Sequence, residues 1–177
     1  MMAAITILVT FVSPEIIAIL GTTEYGSATY IIPVVTLGVY FTFVYDLYAS
    51  VEFYYGATKY VMYASVTGAI LNVILNAIFI PIYGFIAAAY TTLVCYVVFM
   101  LIHYLFSKRV CMRQSITENV YDNRMIILIS CGLGVLCLSG MLTFNYPVMR
   151  VFLIALILCA CVYKRSTIID LIGEIKR

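Results

Sequence analysis

The sequence predicts an all-α, polytopic membrane bundle of about six transmembrane helices. Three observations predict it. The 177 residues are 65% hydrophobic and only 10% charged, where soluble domains carry about 25% charged residues. Mean hydropathy is +1.11, so the chain has too little polar surface to face water. The apolar runs are continuous and reach the roughly 20 residues that a membrane-crossing helix needs. A membrane β-barrel would show short alternating segments instead.

Six spans can be drawn. They are Met1–Leu20, Ala28–Tyr48, Tyr60–Ile80, Gly84–Phe106, Met125–Phe144 and Pro147–Tyr163. Residues 1–163 then form the bundle and 164–177 a cytoplasmic tail. The first span is not a secretory signal: no Lys or Arg precedes its apolar core, and Pro14-Glu15 stands where a small-residue cleavage site belongs. In the tail, Ile168, Ile169, Leu171, Ile172 and Ile175 alternate with charges, a pattern that suits a short helix on the membrane surface.

Charge predicts orientation. Lys59 falls between spans two and three, Lys108, Arg109, Arg113 and Arg124 between four and five, and Lys164, Arg165, Lys176 and Arg177 after six. These nine bases share one side, and Arg150 alone lies on the other, with Glu15 and Glu24. Bases gather in cytoplasmic loops, so both termini are expected in the cytoplasm. The net charge of +2 reflects topology and implies no nucleic-acid partner.

The six cysteines make no disulfide framework. Cys95, Cys131, Cys137, Cys159 and Cys161 fall inside spans, and Cys111 in a cytoplasmic loop. With one histidine and no paired CxxC, no metal or cofactor is expected. Nor is an enzyme: no acidic pair lies deep in a span and no Ser/His/Asp grouping occurs.

Span three carries a row at every fourth residue: Tyr60, Ala64, Gly68, Asn72, Asn76, Ile80. Residues so spaced share one helix face. An amide facing lipid would be unpaired and costly, so this face must meet protein or a wet cavity. Asn72 and Asn76 either bind helices together or line a polar translocation cavity, and periodicity leaves both open. Pro81 should end the helix, with Pro81 to Gly84 making a tight turn. Span four opens with two small-residue rows, Gly84-Ala88-Thr92 and Ala87-Thr91-Cys95. Spans three and four should pack as a close hairpin.

Other ionisable residues read as follows. Asp46, Glu52 and Lys59 should reach a solvated boundary, with Asp46 and Glu15 the candidates for ion coupling. His103 should reach water at the inner end of span four, and Arg150 should anchor at the outer surface or touch a head group. The aromatics from Tyr40 to Tyr63, Tyr48 among them, read as an interfacial belt. The segment Ser107–Arg124 reads as a polar connector.

The stretch "LNVILNAIFIPIYGFIAAAYTTLV" from Leu71 resembles a segment of bacterial polysaccharide-transporter proteins. That segment has two LN pairs, an apolar pair, IP, an aromatic with Gly, and then small residues. "SPEIIAILGTTEYGSATYIIPVVTLGVYF" from Ser13 resembles the same family. The likeness runs from Ser13 to Phe106 and is one of hydropathy alone beyond. Ile82 stands where the family often has a base, and Ala87-Ala88-Ala89 where it often has Gly-Ala-Ala. The family includes O-antigen and capsule repeat-unit flippases of the multidrug/oligosaccharidyl-lipid/polysaccharide superfamily.

The resemblance implies a fold of two facing six-helix bundles, of which this chain would be the C-terminal half. Its partners would be membrane lipid, an undecaprenyl-pyrophosphate-linked oligosaccharide, and a missing N-terminal bundle or a second copy. The setting would be the bacterial cytoplasmic membrane. Asn72, Asn76, Arg150 and Lys59 become candidates to line the substrate cavity. Two alternatives remain: half of a drug or cation exporter on the related fold, or an inactive truncated remnant.

Overall fold

The computed structural model describes residues 1–20, 23–115 and 120–146, and positions 148, 150, 152 and 155 beyond them. Among the described residues every regular element is helical. The helices are α1 (Met2–Leu20), α2 (Ile32–Tyr54), α3 (Thr58–Tyr83), α4 (Ile86–Arg113) and α5 (Asn123–Leu142), with a 3-10 segment, Thr23–Tyr30, before α2. All five α-helices are long and apolar enough to cross a membrane. The chain is a helical membrane bundle. The expected span Pro147–Tyr163 lies outside the described residues except at the four positions named, and the tail from Lys164 lies wholly outside them.

The helices run up and down. At one end of the bundle Tyr30, just before α2, packs on Phe144 beyond α5, with ring centroids 5.4 Å apart. At the other, Tyr48 of α2 donates a 2.9 Å hydrogen bond to Asn123 of α5. The first is called here the Gly84 end and the second the Lys59 end. Helix α2 is the hub: Leu37, Tyr40, Phe41, Val44 and Tyr48 form the core with Leu133 and Cys137 of α5. Tyr40 and Tyr48 are therefore core residues rather than part of a belt. Their hydroxyls are satisfied by Ser130 at 3.1 Å and Asn123, which is how a buried tyrosine is tolerated. Helix α3 sits at the edge, and only Ala64 and Gly68 on it are buried.

The helix bounds depart from expectation for local reasons. Pro33 in the first turn of α2 suits a helix start, where its missing N–H is not needed. The helix continues through the buried Gly38 and stops just before Gly56, whose φ of +65° only glycine adopts easily. So α2 runs six residues past Tyr48, and Asp46 and Glu52 are helical rather than at a boundary. Helix α4 likewise continues through Ser107 to Arg113, which puts Cys111 on a helix and not in a loop. At 1.5 Å per residue its 28 residues span about 42 Å, more than the roughly 30 Å hydrocarbon core.

Pro81 does not end α3; it sits in the last turn, and the helix closes at Gly84 with φ +72° and its N–H on Ile80 O at 2.8 Å. A proline so near the end removes one ladder bond and keeps a helical φ. Pro14, inside α1, lacks the N–H that would reach Thr10 O. The Ser13 hydroxyl donates to that carbonyl instead, at 2.8 Å. Helix α5 starts at Asp122, whose carboxylate accepts from the N–H groups of Arg124 and Met125 at 3.1 and 3.2 Å, an N-cap.

Candidate functional site

The α3–α4 hairpin positions most of the polar groups. On α4 the row Ala87, Thr91, Cys95 is buried; the alternative row through Ala88 and Thr92 is only half-buried. Each step of four along α3 is matched by a step of four along α4. Asn76 Oδ1 accepts from the Thr91 hydroxyl at 2.5 Å. Asn72 Nδ2 donates to Cys95 Sγ at 3.6 Å. Gly68 meets Phe99: a Cβ built on Gly68 would lie 1.8 Å from the ring. Asn76 Nδ2 closes the ladder by donating to Asn72 Oδ1 at 3.0 Å.

The two asparagines thus spend their amides inside the hairpin. Replacing Asn76 by Leu and Thr91 by Val, singly and together, should give a coupling of about 0.6–1.7 kcal/mol in a double-mutant cycle, the range of interhelical hydrogen bonds in membranes. Thermal unfolding in detergent reads it. Strict additivity would contradict the bond.

One step further along the same α4 row stands His103. Its Nδ1 lies 2.9 Å from Glu52 Oε1 on α2. The two side chains are 1% and 0% exposed. The imidazole stacks against Tyr45 and Phe99, with centroids 5.5 and 5.6 Å away. The second carboxylate oxygen of Glu52 is buried with no hydrogen-bond partner. Neither residue reaches water as the sequence suggested. Glu52 lies in the last turn of α2, which outlasts its apolar run, and it is buried on the side that meets His103 of α4.

A second ion pair lies at the Gly84 end. Arg150 pairs with Glu15 of α1 and its Nη1 donates to Phe144 O at 3.4 Å. Arg150 is buried, its side chain 6% exposed, while Glu15 is 42% exposed. So Arg150 is not a free surface anchor: its charge is already answered by the carboxylate. Lys59 is exposed in the first turn of α3, at the opposite end of the bundle from Arg150. The structure brings together Asn72 with Asn76 and Glu15 with Arg150, and keeps Lys59 apart from both pairs.

Asp46 belongs to none of these groups. It is exposed, about 5 Å along the axis from the midpoint of α2. It falls on a row of exposed α2 residues, Val35, Val39, Phe43, Asp46 and Ser50. Among the described residues no ion pair reaches it.

Sequence reasoning missed a polar seam between α1, α2 and α5. Thr6, Thr10 and Ser13 are buried on one face of α1. The Thr10 hydroxyl lies 3.4 Å from that of Thr36 and 3.5 Å from Cys137 Sγ. The spacing of four and three along α1 was the available signal. Among the described residues no three metal-ligating side chains cluster.

Comparison with family models, curated proteins and solved structures finds no match.

Proposed function

We propose that the chain is part of a transporter that flips lipid-linked oligosaccharide repeat units across the bacterial cytoplasmic membrane. In this reading it works against a second bundle, either an N-terminal six-helix bundle or a second copy. Its termini lie in the cytoplasm, as the distribution of bases favours. The resemblance from Ser13 to Phe106 supplies the substrate class.

The observation that carries the reading is Asp46. A carboxylate near the middle of a spanning helix and exposed on this bundle is costly against hydrocarbon. The face it marks needs water or another polypeptide. A wet cavity between two bundles provides both. It shelters the sugar and pyrophosphate while the lipid tail stays in the bilayer, and rocking of one bundle against the other alternates access. The α3–α4 hairpin, tied by its asparagine ladder, moves as one piece.

A pyrophosphate calls for Arg or Lys in the cavity. Arg150 is neutralised by Glu15, so the phosphate-binding charge falls to the second bundle, with Lys59 at one mouth. Deleting the reading frame that encodes this chain should abolish surface glycan, with the lipid-linked repeat unit accumulating on the cytoplasmic leaflet. Unchanged surface glycan overturns the reading.

A second reading, export of small cations, is favoured by one specific feature: Glu52 is an acid buried within the bundle, as ion-coupled export requires. The same deletion separates the two. Cells that keep their glycan but retain a cationic dye support the exporter.

A further inference from the structure

We propose that Glu52 and His103 form a proton-binding site inside the bundle, and that the proton they exchange is the ion that drives its conformational change. The site rests on the transporter reading only for what the proton drives.

The geometry is that of a shared proton. Nδ1 of His103 and Oε1 of Glu52 are 2.9 Å apart, and both side chains are sealed from solvent. With one exchangeable proton the pair has no net charge, whether drawn as carboxylate and imidazolium or as carboxylic acid and imidazole. When that proton leaves for water, a carboxylate beside a neutral imidazole remains, with a net charge of −1. The second oxygen of that carboxylate has no partner. Such a group is tolerated in a dry interior only with difficulty.

The groups around the pair do not relieve it. From α2, Tyr45 offers its ring face to the imidazole, and Asp46, the next residue, is exposed. Tyr48 turns to α5, with its hydroxyl on Asn123. From α3, Lys59 and Tyr63 are exposed, and Tyr60 packs on Phe106 beneath the Arg113 guanidinium. From α4, Lys108 and Arg109 are exposed, and Tyr104 packs on Tyr48. Among the described residues the imidazole is the one cationic group within ion-pair distance of Glu52.

Coupling follows from that charge difference. The proton-loaded pair is neutral and stable in this solvent-sealed packing. The proton-free pair favours any arrangement that admits water to Glu52. A proton therefore shifts the population between a dry and a hydrated state, and it can do so only through this difference in affinity. The moving part is the contact of α2 with the α3–α4 hairpin, because the pair joins α2 to α4, and Phe99, against both the imidazole and Gly68, carries any shift to α3. Its ring cannot shift without disturbing both.

His103 is the only histidine of the chain, so its nitrogens can be read alone. The test is 15N NMR of the histidine-labelled full chain in lipid nanodiscs, between about pH 5 and about pH 8. The expected result is a reversible change in the imidazole 15N shifts over this range, with a displaced midpoint in Glu52→Gln. Shifts that stay constant over the range, or that change identically in Glu52→Gln, overturn the proposal and leave the pair a fixed structural clamp. In proteoliposomes, a pH gradient should accelerate substrate movement in the natural chain with its partner bundle and not in Glu52→Gln. Acceleration that persists in Glu52→Gln overturns the coupling. If no substrate moves at all while the nitrogens titrate, the transporter reading fails and the proton site stands.

Discussion

Glu52→Ala should cost about 3–5 kcal/mol of folded stability, the penalty for removing one member of a buried ion pair. The reason is what stays behind. His103 is 1% exposed and keeps no charge partner, and truncation opens a void beside it. Glu52→Gln should cost much less, because its side-chain carbonyl can still accept from Nδ1. The double variant Glu52→Leu with His103→Leu should recover most of the loss, since apolar groups of similar size often replace a buried pair without penalty. Thermal unfolding of the parent, these three variants and the singles Glu52→Leu and His103→Leu, all in one detergent, reads all of this. If the double variant is as unstable as the sum of the single ones, the pair is not coupled and does not join α2 to α4.

Gly68→Ala is the second large effect. In a solvated helix the change would help by about 1 kcal/mol of propensity. Here the added Cβ would fall 1.8 Å from the Phe99 ring, which is itself held between Tyr45 and His103. Overpacking of this kind costs about 1–3 kcal/mol, so the expected sign is reversed. Phe99→Leu should restore much of the loss in the double variant while weakening the parent. A Gly68→Ala protein more stable than the parent would show that α3 and α4 do not approach so closely. The same variant bears on function, because the hairpin carries one wall of the proton site.

How much of this could be read from the chain is uneven. The membrane class was legible in composition alone, since 10% charge cannot cover a soluble surface. The hairpin was legible in the α3 row: Gly68, Asn72 and Asn76 do face α4, and Ala64 on the same row is buried. The two candidate rows on α4 were not separable by residue size. Burial selects the one through Thr91 and Cys95.

Extended by fours, that row passes through Phe99 and reaches His103 and Ser107, both buried. The site was therefore written in the periodicity, but it was hidden by placing a helix end where hydropathy falls. Hydropathy reports where lipid ends, whereas a helix ends where the backbone must turn. For α2 that is Gly56, and for α4 it is Gln114-Ser115, where Ser115 takes a φ of +56°. Placing the ends by those signals moves Glu52 from a loop into the last turn of α2, opposite His103.

The pairing of Glu15 with Arg150 lay further from reach. The two residues are 135 positions apart in the chain, and no local pattern relates them. What the sequence did offer was a lone base at the sparsely charged end with an acid available to meet it. Asp46 went the other way. It was read as close to a boundary, and the longer α2 places it near the middle of the helix, on the exposed row through Phe43 and Ser50.

Whether that row faces water or lipid decides between a cavity and a plain bundle surface. The measurement is thiol accessibility: Asp46→Cys in a background with the native cysteines replaced, treated in membranes with a charged, membrane-impermeant maleimide. Val39→Cys, two turns away on the same row, is the companion. A wet cavity between two bundles predicts that both cysteines react, and that added lipid-linked oligosaccharide protects them. Cysteines at both positions that resist the charged reagent while reacting with an apolar one would place this face against lipid and contradict the cavity.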